Sequence, residues 1–221
     1  MMAEASFDLA VIARALPFLL EGLALSLILT GVAMIGGIVL GLGLAIVRLS
    51  GRPMLAALAA AYVNGFRAIP LVLVLFWFYF LVPLLLGQAV GALHAALIAF
   101  VLFEAAYYSE IIRAGIQGIR RGQWHAALAS GLGYAQTLRF VILPQAFRTM
   151  LPLMITQAVV LFQDTSLVYV ISLRDLMTSA SIVANRDNRL IEIYVFVAVI
   201  YFLICATGAF WAGRLRQGRT E

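Results

Sequence analysis

The sequence predicts an all-α integral membrane protein with five transmembrane helices, and three observations carry that reading. Hydrophobic residues make up 64% of the 221-residue chain and charged residues 11%, with a mean hydropathy of +1.05, more apolar surface than a soluble domain of this length can cover. The apolar runs are continuous and longer than barrel strands, so only helices can satisfy their backbone in lipid. Finally, the arginines divide unevenly between the two sides of a five-span arrangement. Arg48, Arg52, Arg113, Arg120, Arg121, Arg139, Arg148, Arg214, Arg216 and Arg219 fall on one side and Arg14, Arg174, Arg186 and Arg189 on the other, ten against four. The richer side is the cytosolic one by the positive-inside rule, which places the N-terminus outside and the C-terminus inside.

Taken in order, residues 1–19 form an outer N-terminal segment. They carry Glu4 and Asp8 and lack a basic stretch followed by a cleavage site, so no cleaved signal peptide is expected. A single transmembrane domain follows over residues 20–213, with spans at about Leu20 to Val47, Met54 to Leu86, Leu93 to Ile112, Met150 to Ser172 and Ile191 to Trp211. Residues 214–221 are a cytosolic tail. In the first span, Gly37 and Gly41 form a small-xxx-small pair that admits another helix at close range, unless glycine is merely tolerated there. The second run is too long for one straight span and is interrupted at NGFRAIP, Asn64 to Pro70. Splitting it into a hairpin would carry Arg113 to Arg148 to the outside and contradict the arginine distribution, so one span kinked or broken near Pro70 is preferred.

Several functions are excluded by what the chain lacks. All fifteen basic residues are arginine, so no P-loop lysine is available and any ATP must be bound by another chain. Cys205 is the one cysteine, which rules out an internal disulfide and argues against a cysteine-based metal site. His94 has no second ligand nearby and reads as an interfacial residue. No catalytic constellation is present, because Glu104, Glu110, Asp164 and His125 are scattered along the topology. No nucleic acid partner is expected.

The cytosolic segment 120–144 is where function is expected to show. Its sequence GQWHAALASGLGYAQTLRFVILP from Gly122 reads as two short helices broken at Gly131 and Gly133 and closed by Pro144. Trp124, Leu128 and Leu132 fall at i, i+4 and i+8, an apolar ridge for a groove on another protein or for the lipid surface.

This segment resembles the EAA motif of ABC importer permeases: EAA, three residues, G, nine residues, I, x, LP. His125, Ala126, Ala127, Gly131, Val141, Leu143 and Pro144 stand on its positions, with His125 replacing the motif's glutamate and Val141 its isoleucine. EAAYYSEIIRAGIQGI from Glu104, GQW from Gly122, LPQAFRTMLP from Leu143 and FQDTSLVYVIS from Phe162 widen the resemblance. Together they resemble the polar amino acid permeases, most closely the glutamate/aspartate members, from about Leu23 to Trp211. The resemblance implies a type I importer in the bacterial inner membrane, with the N-terminus periplasmic. Its partners would be a second permease, a paralogue in the acidic amino acid members, a dimer of ABC ATPases holding ATP and Mg, and a periplasmic amino acid-binding receptor, with membrane lipid around the spans. Arg121, Gly122, Trp124, His125, Ala126, Ala127, Leu128, Gly131, Leu132 and Pro144 would form the ATPase-coupling surface. A neutral histidine pairs more weakly than a glutamate, which shifts docking toward Trp124, Leu128 and Arg121.

Ionisable residues inside a span cost about 2.5 to 3.5 kcal/mol each on insertion scales, so each asks for a reason. Arg67, at the break before Pro70, would sit beside the free N–H groups of a half-helix and suits a carboxylate ligand, or else pairs with an internal acid. Glu104 has no partner near it in sequence and must find one on another helix, with Arg67 the candidate. Glu110 and Arg113 form an i, i+3 pair. Gln163, Asp164, Thr165 and Ser166 are four polar side chains in a row that cannot all face lipid. With Gln157 they line a cavity or a permease seam, Asp164 pairing with an arginine or gating and the others contacting substrate or neighbouring helices. The polar stretch Arg174 to Arg189 reads as a small external helix that receives the receptor, or as a solvated loop. An autonomous channel or ion-coupled carrier is the alternative function, disfavoured by the lack of internal repeat or filter motif.

Overall fold

In the computed structural model, which describes residues 7–217, the described chain is entirely helical. Its elements are α1 (Leu9–Leu49), α2 (Pro53–Arg67), α3 (Leu71–Leu86), α4 (Ala92–Gln117), α5 (Arg121–Ala129), α6 (Tyr134–Ile171), α7 (Leu176–Asp187) and α8 (Leu190–Gln217). Four of these, α1, α4, α6 and α8, are long and apolar enough to cross a bilayer, and α2 with α3 forms a fifth, broken unit bent by 103°. Glu4 and Arg219 lie outside the described residues.

The first helix begins eleven residues before the expected Leu20. Asp8 caps it, accepting from the Ala10 N–H at 2.9 Å. Two of the polar residues assigned to the outer segment 1–19 lie at its start, where Arg14 approaches Asp8 at 4.0 Å, and beyond them Glu21 meets Arg174 at 3.5 Å. One buried stripe runs the whole helix, from Val11 through Leu19, Ser26 and Ala33 to Ala45. Its first half packs against α7 and α8 around Leu176, Ala180 and Ile193, and its second half against α4.

Gly37 and Gly41 are the close-approach surface between α1 and α4. A Cβ built on Gly41 would lie 2.8 Å from the Ser109 nitrogen, and one on Gly37 would lie 2.8 Å from the Glu104 Cβ. In lipid no water drives helices together, so dispersion at backbone contact distance does it, and only glycine permits that distance. These contacts climb together along both helices, Gly36 beside Val101, Gly37 beside Glu104 and Gly41 beside Ser109, so α1 and α4 run parallel. A parallel pair requires residues 50–91 to return across the molecule once, which removes the hairpin alternative. Helix α6 runs antiparallel to α4, with Gln157 at Glu104 and Met150 at Gly115, and α8 antiparallel to α6, with Tyr201 at Phe162 and Gly208 at Val159.

The break in the second unit falls at residues 68–70, where Pro70 caps α3 in an extended conformation and cannot continue α2. The fourth crossing departs from expectation. Pro144 does not close a short helix, because α6 starts at Tyr134 and continues to Ile171. A π turn at Leu138–Ile142 ends two residues before Pro144, which lacks an N–H and would clash with the carbonyl four residues back. Widening that turn lets the helix pass. The stretch after Arg174 forms α7, capped by Asp175, whose carboxylate accepts from the Met177 and Thr178 N–H groups at 3.1 and 2.8 Å. Half of α7 is buried against α1 and α8, so it is a packed element and not a free outer loop.

Candidate functional site

Two places in the molecule concentrate polar chemistry: the arginine-rich end and the mid-span cluster around Glu104. The first gathers the C-terminal ends of α1, α4 and α8 with α5 and the start of α6. It therefore holds Arg48, Arg52, Arg113, Arg120, Arg121, Arg139, Arg148, Arg214 and Arg216, while Arg14, Arg174, Arg186 and Arg189 lie at the other end.

Helix α5 is set by its two ends. Arg120 enters it in an extended conformation, and Gly131, at φ +83°, reverses the chain after Ser130, whose hydroxyl donates to the Ala126 carbonyl at 2.9 Å. Ala127 is buried, and Trp124 is half-buried, its ring stacked on Tyr134 with centroids 5.6 Å apart and planes at 27°. Gln145 of α6 donates to the Val141 carbonyl at 2.8 Å and to Gln123 of α5 at 3.4 Å. Opposite this anchored side, Arg121, His125 and Leu128 fall at i, i+4 and i+7 and are exposed, Leu128 by 45%, with Gly122 and Ala126 exposed beside them. The i, i+4, i+8 ridge is thereby corrected: Trp124 turns toward Tyr134, and Leu132 lies past the left-handed Gly131, outside the helix. Leu143 and Pro144 sit exposed on α6. Tyr134, which orders Trp124, carries no periodic signal in the sequence because the loop between them breaks the register.

The same end is held by a three-residue ion cluster. Glu110 accepts from Arg48 Nη1 at 2.7 Å and from Arg113 Nε at 3.1 Å on one oxygen, and from Arg113 on the other; Arg113 also reaches Gln117. The local pair is therefore part of a clamp that fixes α1 to α4. Glu110→Gln leaves Arg48 and Arg113 facing each other without a carboxylate, and it should cost about 1–3 kcal/mol. The thermal unfolding midpoint of the purified protein should fall, and a midpoint equal to wild type would show that the clamp contributes nothing.

Within the spans, Glu104 is fully buried and its carboxylate accepts twice from Gln157 Nε2 of α6, at 3.1 and 3.2 Å. The expected pairing with Arg67 does not form. Arg67 ends α2, exposed, with its guanidinium 5.5 Å over the Tyr107 ring, and it makes no ion pair among the described residues. The break ends α2 at Arg67, whose guanidinium is taken up by the Tyr107 ring and not by the Glu104 carboxylate. Asp164 has no arginine partner among the described residues, contrary to that reading of it, and lies within electrostatic reach of Glu104 and Tyr107. Thr165 is buried and donates to the Phe162 carbonyl at 2.7 Å, so it serves its own helix; Gln163 is exposed and Ser166 half-buried. The structure thus brings Arg67, Tyr107, Glu104, Gln157 and Asp164 into one region and leaves Thr165 out. Gln157→Leu strands the Glu104 carboxylate and should destabilise by about 1–3 kcal/mol, whereas Glu104→Gln keeps an amide pair and should cost less. Equal unfolding midpoints for the two variants would contradict this.

Residues 37–220 match the family model described as the binding-protein-dependent transport system inner membrane component. The glutamate/aspartate import permease protein GltK of Escherichia coli O6:H1 is 49% identical over 218 residues, covering 96% of this chain and 97% of that protein. The probable amino-acid ABC transporter permease protein YckA of Bacillus subtilis is 34% identical, covering 97% of this chain and 94% of its own. Among solved structures, an amino acid ABC transporter crystallised with histidines superposes with a TM-score of 0.89 at 30% identity, over 96% of this chain and 99% of that one. The MetNI methionine ABC transporter in an inward-facing conformation shares the fold, with a TM-score of 0.71 at 20% identity over 90% of this chain and 96% of that one.

Proposed function

This chain belongs to the binding-protein-dependent transport system inner membrane components, and from that premise we propose that it carries acidic amino acids, glutamate and aspartate, across the bacterial inner membrane. It is the membrane-spanning permease subunit of an amino acid ABC importer, with no catalytic role of its own; ATPase and substrate-binding partners follow from that class.

The N-terminus is periplasmic and the C-terminus cytoplasmic, as the arginine asymmetry favours. A second permease, a paralogue, completes the translocation path, and a dimer of ATPase subunits binds ATP and Mg. The receptor docks on the periplasmic side. The ATPase grips the face of α5 formed by Arg121, His125 and Leu128, with Trp124 and Ala127 transmitting its movement to α6 through Tyr134. ATP binding closes the ATPase dimer and shifts the spans outward; hydrolysis and release return them.

The observation that carries the substrate reading is Arg67, a mid-membrane cation with no carboxylate partner among the described residues, standing exposed at the break between α2 and α3. A substrate carboxylate supplies the missing charge, and Gln163 and Ser166 add neutral contacts. Arg67→Gln should raise the KM for glutamate uptake by the assembled importer at least about tenfold, the order of one charge-assisted hydrogen bond, and Arg67→Lys should recover part of it. An unchanged KM in Arg67→Gln would remove this residue from the path.

A further inference from the structure

At the arginine-rich end, a cavity of about 860 Å³ lies between the last turns of α1 and α4, helix α5 and the start of α6. Leu42 and Ile46 of α1, Ile116 of α4, Trp124 of α5 and Leu138 of α6 make its walls apolar, and exposed Arg121 lines its rim. Two further arginines adjoin the lining residues in the chain: Arg52, two positions beyond Ser50, and Arg120, between Ile119 and Arg121. All three are exposed, and none has a carboxylate partner among the described residues.

The volume is within the ~300–1,000 Å³ range of chambers that enclose a small organic ligand. An apolar chamber lined by the unpaired Arg121, with Arg52 and Arg120 adjoining its lining residues in the chain, at the depth where arginines end the spans, matches one kind of molecule: an amphiphile with an anionic head. A soluble anion would use the rim and leave the chamber empty. A zwitterionic lipid would fill the chamber and leave the rim unneutralised. His125 and Leu128 do not line the chamber, whereas Arg121 does, so an occupant of the chamber and a protein docked on the exposed face of α5 meet at Arg121 alone.

We propose that this cavity is a binding site for an anionic phospholipid, an acyl chain lying along Ile46 and Ile116 and the phosphate held by Arg52, Arg120 and Arg121. The inference needs only the membrane-spanning fold and is independent of which amino acid is carried. A lipid seated there would form part of the floor beneath Trp124.

The test uses the whole importer complex, purified from membranes and exchanged into nanodiscs of phosphatidylcholine with phosphatidylglycerol, followed by native mass spectrometry of the retained lipid. Wild type should retain phosphatidylglycerol over phosphatidylcholine. Ile46→Trp, which fills the chamber, and the double change Arg52→Gln with Arg120→Gln, which strips the rim, should each lower that retention about tenfold. Should Ile46→Trp not assemble, the arginine variant decides. Equal retention of the two lipids, or unchanged phosphatidylglycerol in the arginine variant, overturns the proposal. So does loss of the ATPase from that variant with lipid retention intact, which would give the rim to the protein partner.

Discussion

Gly41→Leu should abolish the folded permease, while Gly43→Leu, two residues along the same helix, should leave it intact. A Cβ on Gly41 would lie 2.8 Å from the Ser109 nitrogen, 3.0 Å from the Ala105 carbonyl oxygen and 3.0 Å from the Tyr108 Cβ, whereas a Cβ on Gly43 meets nothing within 4 Å. Two of the three contacts are backbone atoms of α4, which cannot rotate aside. Helices α1 and α4 must therefore separate, losing the neighbouring close approaches at Gly36 and Gly37 together. Overpacking a well-packed core costs about 1–3 kcal/mol where side chains can adjust, and a rigid backbone neighbour puts this site at or above the top of that range. Yield of monodisperse protein and the unfolding midpoint read the effect. Similar behaviour of the two leucine variants would mean that α1 does not pack on α4 through this face.

Leu128→Asp should stop transport without unfolding the permease. Leu128 is 45% exposed on a nine-residue helix whose other side is fixed by Ala127 and by the Trp124–Tyr134 stack, so a carboxylate there faces solvent in the free subunit. In the assembled importer it would be driven into the ATPase contact proposed for this face. Loss of a central apolar anchor costs roughly 2 kcal/mol or more at protein interfaces, and an unpaired charge adds to that, so uptake should fall by at least about thirtyfold. Trp124→Ala should lose transport as well, but with a lowered unfolding midpoint, because it also removes the ring stack. The difference separates a residue that touches the partner from one that orders the helix. Full uptake in Leu128→Asp would place the ATPase elsewhere.

Much of this architecture was legible in the sequence because membranes simplify the problem. Runs of apolar residues longer than a bilayer is thick can only be helices, and NGFRAIP marks a break since proline cannot extend α2. Arginine asymmetry selected one crossing over a hairpin, and the parallel packing of α1 on α4 agrees. The start of α1 was not legible: Asp8 and Arg14 look like an outer segment until Asp8 is seen capping the helix with Arg14 beside it. The π turn that carries α6 past Pro144 leaves no sequence mark, because it is a response of the backbone to the proline.

The polar cluster illustrates the same limit. That Glu104 needed a partner on another helix followed from the cost of a buried carboxylate, but its identity depended on which way α2 ended at the break. Gln157, 53 residues away, meets it only because α6 runs antiparallel to α4 at that level. Arg48 joins the Glu110–Arg113 pair for a similar reason, 62 residues away on a parallel helix.

This chain is a membrane-spanning subunit of an amino acid ABC importer, with glutamate and aspartate as the proposed substrates. The most direct test is uptake of labelled glutamate and aspartate into proteoliposomes holding this permease, its partner permease and the ATPase, with receptor supplied outside and ATP within. Saturable uptake of both amino acids should need every component and disappear when any one is omitted. Accumulation by this chain alone without ATP, or uptake by the complete system of other amino acids but neither of these, would contradict that assignment.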